Sequence, residues 1–584
     1  MLQRSQVKTL FDLFKQRATL TPKQVAYQYY DETDFHWHTV NWQDAFKQSL
    51  VFRNALAAEK LAANNRILLI LENSVDWVYL AQAAYQLGLV VVAASPLDSL
   101  PTLRHIIKDC QPSLIFIETD RLLESLQLED KLRCVVRKKL HEDTWQSTIT
   151  HWISHQGDCP SSTKEDITAQ QLAMILYTSG SSDTAKGVML SHESILNNAE
   201  ACREAMHISA SDKLLNVTPF SHFLGSIIDL NLSMLCGIPF IFNRALGMVS
   251  ETIRHTHPTL FTCTPFILEW AYSNLIKQHP RLRQYIEDYL DYQNGLSPWK
   301  ISFLFWGLIQ RKLRKRVKQD YQVTVQKIFS VGVPLSKYTK TLSRVLPLPI
   351  FEGYGTTEAG GIVSLNIPDQ SKAHSMGKPL NNNQIAIDEA GLIKIKTNSI
   401  MLGYWQANQS TLPATQTEWL ATNDYGNLED GYLFLTNGRS SKIQLANGVC
   451  VFPKPIEDQL CSDSLFNNVV LYGEQQSKLT AICEMDLLRW ENFAGQYKLK
   501  KTYTAAESIS DKQLQGILFT RINTLLQKVV GAPRIDYILP VFSDWQNEDL
   551  LDSQGQILRE TIIEKFAKQL ALIYENQYPF VPTR

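Results

Sequence analysis

Residues 177–188 read Tyr-Thr-Ser-Gly-Ser-Ser-Asp-Thr-Ala-Lys-Gly-Val, a run of Ser/Thr hydroxyls interleaved with Gly180, Lys186 and Gly187. An apolar, strand-like segment (Leu172–Leu176) precedes it and a helix-like one begins at His192. Hydroxyls, backbone N–H groups and a nearby ammonium together suit one kind of ligand, a polyphosphate. The spacing is not GxxxxGK[ST]. Counting from Gly180, Ala185 stands at the second glycine and Gly187 at the Ser/Thr. Taken alone, the run is also compatible with a Ser/Thr-rich surface loop.

The flanking pattern points to an α/β scaffold. Leu10 to Ala18 and Trp42 to Leu61 read as helices. Arg66–Leu71 is a short apolar run, Val75–Leu87 has helical periodicity, and Gly88–Ala94 is again continuously apolar. Ser113–Glu118 repeats the pattern. Runs this short favour buried strands over buried helix segments, and their alternation with helices argues a layered α/β fold. Short alternating strands follow at Gly391–Lys396 and Gly431–Leu435. Beyond residue 438 the chain reads as a compact α+β piece, with a strand at Leu479–Met485 and a helix at Lys512–Val530. At 584 residues the chain exceeds one compact core, so two or three domains are expected.

A second motif, Glu352-Gly353-Tyr354-Gly355-Thr356-Thr357-Glu358, follows the apolar run Leu348–Phe351. With the 177–188 run it resembles the ATP-binding motifs of the adenylate-forming superfamily, most closely the long-chain acyl-CoA synthetases. Further motifs come in the same order. Pro219-Phe220-Ser221-His222 resembles the substrate-side His motif, and Ser330-Val331-Gly332-Val333-Pro334 the adenine-side motif. Thr422-Asn423-Asp424 resembles Thr-Gly-Asp, Gly438-Arg439 falls at the domain boundary, and Asp552 to Arg559 resembles the C-terminal Thr-Gly-Lys-Ile-x-Arg motif.

The resemblance implies a large N-terminal domain of sheets layered with helices (residues 1–437) and a small mobile α+β C-terminal domain (438–584). It implies ATP-dependent activation of a carboxylic acid to an acyl-adenylate, then transfer to CoA or to an acyl carrier protein. Thr178, Ser179, Gly180, Ser181, Ser182 and Lys186 would hold the β- and γ-phosphates. Thr357 would contact the α-phosphate and Glu358 would position Mg²⁺, a cation that favours oxygen ligands. Gly332, Tyr354 and Gly355 would border adenine, Asp424 would accept from the ribose hydroxyls, and Arg439 would lie nearby. His222, Phe223 and Gly225 would border the acyl pocket. Phe220, Phe223 and Leu224 give that region an apolar lining, and Pro258–Pro265 resembles the strand beside a long-chain acyl tunnel. A fatty or aryl acid is therefore favoured over an amino acid.

Several motif positions depart from the family. Asp183 replaces a loop glycine; at roughly 7 Å from a phosphate, its charge costs about 2 kcal/mol at an effective dielectric of about 20. Val331 replaces a glycine, and a β-branched residue takes positive φ poorly. Asn423 for glycine is milder. Gln556 stands where the family's catalytic lysine belongs, and losing such a contact typically costs about 10²–10³ in rate. Arg559 and Lys565 are the cations nearest in sequence. These departures keep a second reading open, a non-catalytic relative that binds nucleotide or an acyl ligand.

Formal net charge is −1, which implies no general attraction to nucleic acid or membranes. Nine scattered cysteines without CxxC pairs suit reduced thiols in a cytoplasm-like compartment. Pro298–Lys318 reads PWKISFLFWGLIQRKLRKRVK, aromatic then basic. It suits an interfacial helix on an anionic membrane surface or a helix packed on the domain with a solvated basic face.

Overall fold

The short apolar runs become strands because both of their faces are covered. Arg66–Ile70 sends Ile67 and Leu69 into one core and Leu68 and Ile70 into another, and all four are fully buried. The computed structural model describes residues 2, 4–128, 132–140, 147–154, 167–178, 185–268, 324–332, 334–335, 339–340, 343, 349–367, 370–372, 375–405, 419–436, 443–446, 450–451, 453–476, 478–527, 534–548, 550–551 and 557–575. Ser179, Gly180, Ser181, Ser182, Asp183, Arg439, Gln556 and the 298–318 segment lie outside these residues.

Among the described residues, two large sheets dominate. One has seven strands in the order Gly403–Tyr404, Lys186–Ser191, Leu172–Thr178, Val90–Ala94, Arg66–Ile70, Leu114–Thr119, Cys134–Lys138. The run from Leu172–Thr178 to Cys134–Lys138 is parallel, and the other edge is antiparallel. The second sheet has nine strands. Its parallel centre is Ile350–Thr356, Lys327–Val331, Leu260–Cys263, Leu214–Asn216, Phe240–Phe242 and Val25–Asp31, with antiparallel strands at both edges. One hydrophobic core joins side chains of both sheets with the helices Leu10–Leu20, Trp42–Ala58, Val75–Gln86, His192–Ala205 and Leu230–Cys236. Val75–Gln86 is buried at every position from Trp77 to Tyr85, as expected of a helix covered on all sides. A four-stranded antiparallel sheet, Asn383–Ile387, Leu392–Thr397, Leu420–Glu429 and Tyr432–Thr436, completes this N-terminal domain.

Most expected elements form within a few residues of their expected ends. The helix expected over Trp42–Leu61 stops at Ala58, because Lys60 (φ 53°) and Asn64 (φ 64°) turn the chain left-handed. No helix among the described residues is long and apolar enough to cross a membrane.

The smaller C-terminal domain is built on a three-stranded sheet, Phe466–Tyr472, Thr480–Met485 and Tyr537–Val541. Strand alternation sends Val469 and Leu471 into one core with Trp490 and Leu518, and Val470 into another with Trp545 and Ile562. The expected boundary falls in residues 437–442, outside the described ones. Arg559, at the start of helix Arg559–Lys565, ties this domain together. Its guanidinium donates to both carboxylate oxygens of buried Glu457 (2.6 and 2.7 Å) and to the Leu471 carbonyl (2.9 Å). Arg559→Gln should destabilise the C-terminal domain by about 3–5 kcal/mol, because it leaves a buried carboxylate without its counter-charge. Urea unfolding followed by Trp fluorescence would read this, and adding Glu457→Gln should recover part of the loss.

Candidate functional site

The polyphosphate-like run sits on a β-hairpin. Leu172–Thr178 and Lys186–Ser191 pair antiparallel, with Tyr177 opposite Gly187 and Thr178 opposite Lys186. The helix expected from His192 forms at that residue. The helix His192–Ala205 begins only after a second strand, whose Val188, Met189 and Leu190 are buried. Pairing on both sides, with Leu172–Thr178 and with Gly403–Tyr404, makes that segment a strand. Lys186 thus stands a whole strand away from the N-terminus of that helix.

Lys186 is exposed at the start of its strand, and its Nζ lies 5.5 Å from the centre of the Tyr404 ring. The Tyr404 hydroxyl donates to Glu358 Oε1 at 3.1 Å. Burial, then Glu358, pushes the Tyr404 phenol up to about 12, so it stays a donor. The structure thus joins Lys186 and Glu358 through an aromatic ring. Glu358 Oε2 accepts no hydrogen bond among the described residues, which leaves one carboxylate oxygen open to a hard cation. Glu358 and buried Thr357 occupy the turn between the strands Ile350–Thr356 and Gly361–Leu365. The Glu358 carbonyl accepts from Met401 N–H (2.9 Å), and the Met189 carbonyl accepts from Leu402 N–H (2.8 Å).

Tyr354 and Asp424 come together directly, with the Tyr354 hydroxyl donating to Asp424 Oδ2 at 2.7 Å. The Tyr354 ring is buried among Val363, Met376, Ile393 and Leu433, while Asp424 is exposed. Gly332 adjoins them, its N–H donating to the Gly353 carbonyl at 3.1 Å. The backbone that needs a glycine is at Gly332 (φ 128°), and Val331 is an ordinary buried strand residue. The strain expected at Val331 is therefore absent. Asn423 likewise lies within the strand Leu420–Glu429 and takes no left-handed conformation. Gly355 is required by packing, since a Cβ there would approach Ile362 Cα to 2.8 Å and collide with the Gly361 carbonyl.

His222 begins the segment that leads into a π-helical stretch, Leu224–Asp229. Its ring stacks on Phe223 (4.6 Å), and its Nδ1 accepts from the Leu224 N–H at 3.2 Å. Enclosure by protein pushes the imidazole down to about 4. The ring is thus neutral, with its proton on Nε2. Gly225 admits no side chain, because a Cβ would lie 2.5 Å from the Pro219 carbonyl and 2.7 Å from that of Thr218. Phe220, expected to line a pocket, is a core residue packed on Trp77 (4.5 Å) and Phe240.

Behind this loop lies a buried polar network. Asn73 accepts from Phe220 N–H (2.8 Å) and donates to the Thr218 carbonyl (2.8 Å) and to Asn216 Oδ1. Asn216 and Thr262 in turn donate to Asp229, whose carboxyl burial pushes up to about 8.

One amide connects the two halves of the site. Asn198, on the helix that follows the hairpin, donates to the Ile362 carbonyl (2.9 Å) and accepts from the Ile362 N–H (3.0 Å). Gly361 (φ 134°) makes room, since a Cβ would lie 2.5 Å from Asn198 Oδ1.

The C-terminal cations are committed elsewhere. Arg559 serves Glu457, and Lys565 pairs with Glu548 at 2.8 Å. Sequence reasoning missed Tyr404, Asn73 and Asn198. A tyrosine after Gly403, and asparagines after a strand or inside a helix, carry no functional signal until the fold supplies their partners.

A family model described as "AMP-binding enzyme" matches residues 14–405. Long-chain-fatty-acid–CoA ligase FadD15 of Mycobacterium bovis is 24% identical over 576 residues, covering 93% of this chain and 93% of that protein. Long-chain-fatty-acid–CoA ligase of Bacillus subtilis is 24% identical over 516 residues, covering 80% of this chain and 83% of that protein. Among solved structures, the anthranilate CoA ligase AuaEII in complex with anthranoyl-AMP has the same fold (TM-score 0.72, 16% identity, 98% of this chain and 100% of that one). So has o-succinylbenzoate coenzyme A synthetase (MenE) of Bacillus subtilis, in complex with ATP and magnesium ion (TM-score 0.67, 18% identity, 94% and 98%). With well over half of its 584 residues inside that family match, the chain belongs to the AMP-binding enzyme family.

Proposed function

We propose that the protein is an AMP-forming acid–thiol ligase acting on a fatty acid. A carboxylate oxygen of the acid attacks the α-phosphorus of ATP, the bond to the β-phosphate breaks, and pyrophosphate leaves. A thiol sulfur, of CoA or a carrier protein, then attacks the acyl carbonyl, gives up its proton, and displaces AMP. Attack of one anion on another is opposed electrostatically, so cations and fixed donors carry the first step.

The Lys186–Tyr404–Glu358 array beside the hairpin carries this reading. Lys186, Thr178 and the loop 179–182 would bind the β- and γ-phosphates. Thr357 would donate to the α-phosphate. Glu358 would hold Mg²⁺, which supplies neutralisation of phosphate charge when bound. Asp424, already an acceptor for Tyr354, would take the ribose hydroxyls, with Arg439 nearby and Gly332, Tyr354 and Gly355 shaping the nucleoside side. His222, neutral with Nδ1 occupied, would offer an Nε2–H beside the acid, bordered by Phe223 and Gly225. The fatty-acid preference is supported by the names of the ligases at 24% identity and by the apolar surroundings of His222.

A specific observation favours a weaker enzyme or a non-catalytic relative. Gln556 lacks the lysine's charge, and both nearby cations, Arg559 and Lys565, are held in ion pairs. Thiol transfer, by resemblance to the family, does not need that lysine.

ATP–pyrophosphate exchange, screened from acetate to oleate with and without Mg²⁺, tests the proposal. Acid- and Mg²⁺-dependent exchange is expected, greatest with long acyl chains. A folded protein that binds ATP without exchange would overturn catalysis in favour of the non-catalytic reading. Lys186→Ala should lower exchange about 10²–10³-fold. Gln556→Lys should raise the adenylation rate by a comparable factor, and an unchanged rate would rule out attenuation at that residue. His222 should keep one NMR ring position from pH 8 to 5.5, assigned with His222→Gln. Its depressed value, from 6.5 to about 4, also means that its contribution to stability is complete above about pH 6.5 and is lost as the pH falls towards 4. A ring titration midpoint near 6.5 would contradict the neutral-donor role.

A further inference from the structure

Lys186 stands at the loop end of its hairpin, opposite Thr178, the last pair of the ladder among the described residues. The helix Leu100–Cys110 lies alongside it. This helix begins at a Ser99 cap and buries Leu103, Ile106, Ile107 and Cys110 against one face of the seven-stranded sheet. His105 and Asp109, four residues apart, therefore share another face. His105 Nε2 lies 2.9 Å from the Ala185 carbonyl. A carbonyl only accepts, so Nε2 carries the proton. Asp109 Oδ2 accepts from the Tyr177 hydroxyl at 2.5 Å. The His105 ring also stands edge-on to the Tyr177 ring, with centres 6.4 Å apart.

A third contact locks the other side. The Trp405 indole N–H donates to the Asp109 carbonyl (3.0 Å), and its backbone N–H donates to the Gly187 carbonyl (2.7 Å). The Arg66 guanidinium covers the Trp405 ring at 4.9 Å. Gly187 lies between the Tyr177 and Trp405 side chains, each 3.1 Å from where a Cβ would be. The residues on both sides of Lys186 are thus gripped, Ala185 by His105 and Gly187 by Trp405.

We infer that His105 and Asp109 are positioning residues that hold the loop end of the hairpin and set Lys186 for the triphosphate. This rests on the functional reading above. Neither residue touches substrate, and both act through the backbone that carries Lys186. The effect falls on nucleotide, not on the acid, because the grip is confined to the hairpin and is separate from the His222 segment.

The test compares wild type with His105→Ala, His105→Gln and Tyr177→Phe in pyrophosphate exchange, with direct MgATP binding by calorimetry and thermal unfolding in parallel. His105→Ala and Tyr177→Phe should each raise KM and Kd for MgATP about five- to tenfold, the worth of one lost hydrogen bond at a positioned site. KM for the acid and the unfolding temperature should stay near wild type. His105→Gln retains an N–H donor and should recover most of the loss. Unchanged MgATP binding in both loss variants would overturn the inference while leaving the functional reading intact. So would a parallel rise in both KM values with a lowered unfolding temperature, the signature of a merely structural role. A wild type that binds no MgATP would overturn the functional reading, and the inference with it.

Discussion

The arrangement of the candidate site depends on one buried side chain, the amide of Asn198. The hairpin that carries Lys186 belongs to the seven-stranded sheet, and the turn that carries Thr357 and Glu358 belongs to the nine-stranded sheet. Asn198 sits on the helix between them and satisfies both backbone groups of Ile362, so it acts as one more rung at the start of a strand. Leaving either group unpaired in that core would cost about 1–3 kcal/mol. The apolar side chains around it set how closely the layers approach, and the directional amide sets where along each other they stop. Ser194, one turn earlier, adds a bond to the Ile400 carbonyl and extends the same registration to the segment that delivers Tyr404.

That registration explains how an exposed lysine and a half-buried glutamate come to serve one region without an ion pair between them. Tyr404 stands between them, presenting its ring to the ammonium and its hydroxyl to the carboxylate. Among the described residues neither charge has a direct ion-pair partner. A direct Lys–Glu bridge at the same place would have to be broken before a ligand that carries anionic oxygens and a cation together could bind. The His222 segment uses a different device. There the Asn73–Asn216–Asp229–Thr262 network holds the backbone from Thr218 to Phe220, and burial holds the half-buried His222 imidazole below its usual range.

The C-terminal domain changes the weight of the altered motif. Seen in sequence, Arg559 is a spare cation close to Gln556. In the fold it is the partner of a buried carboxylate and a strut between a helix and the sheet. Lys565 is committed to Glu548. Both cations nearest to Gln556 in sequence are thus engaged by carboxylates within the C-terminal domain. Two of the altered positions in the N-terminal domain, Val331 and Asn423, are milder than their residue types imply, since both lie in strands.

The sequence by itself determined the elements and their class. Buried strands declare themselves as short apolar runs, and the helices by periodicity, because these signals depend on neighbours a few residues away. The order of Lys186, His222, Gly332, Tyr354, Thr357, Glu358 and Asp424 was legible for the same reason, each lying within a short motif. Tertiary structure alone decided that Lys186 opens a strand, that Tyr354 reaches Asp424, and which groups Tyr404, Asn198 and His105 meet. The side-chain pairings among these span about 45 to 220 residues of chain. A polar side chain carries no mark of its partner until the cores close, because its hydrogen bond is worth little in water and becomes directional and decisive only where water is excluded.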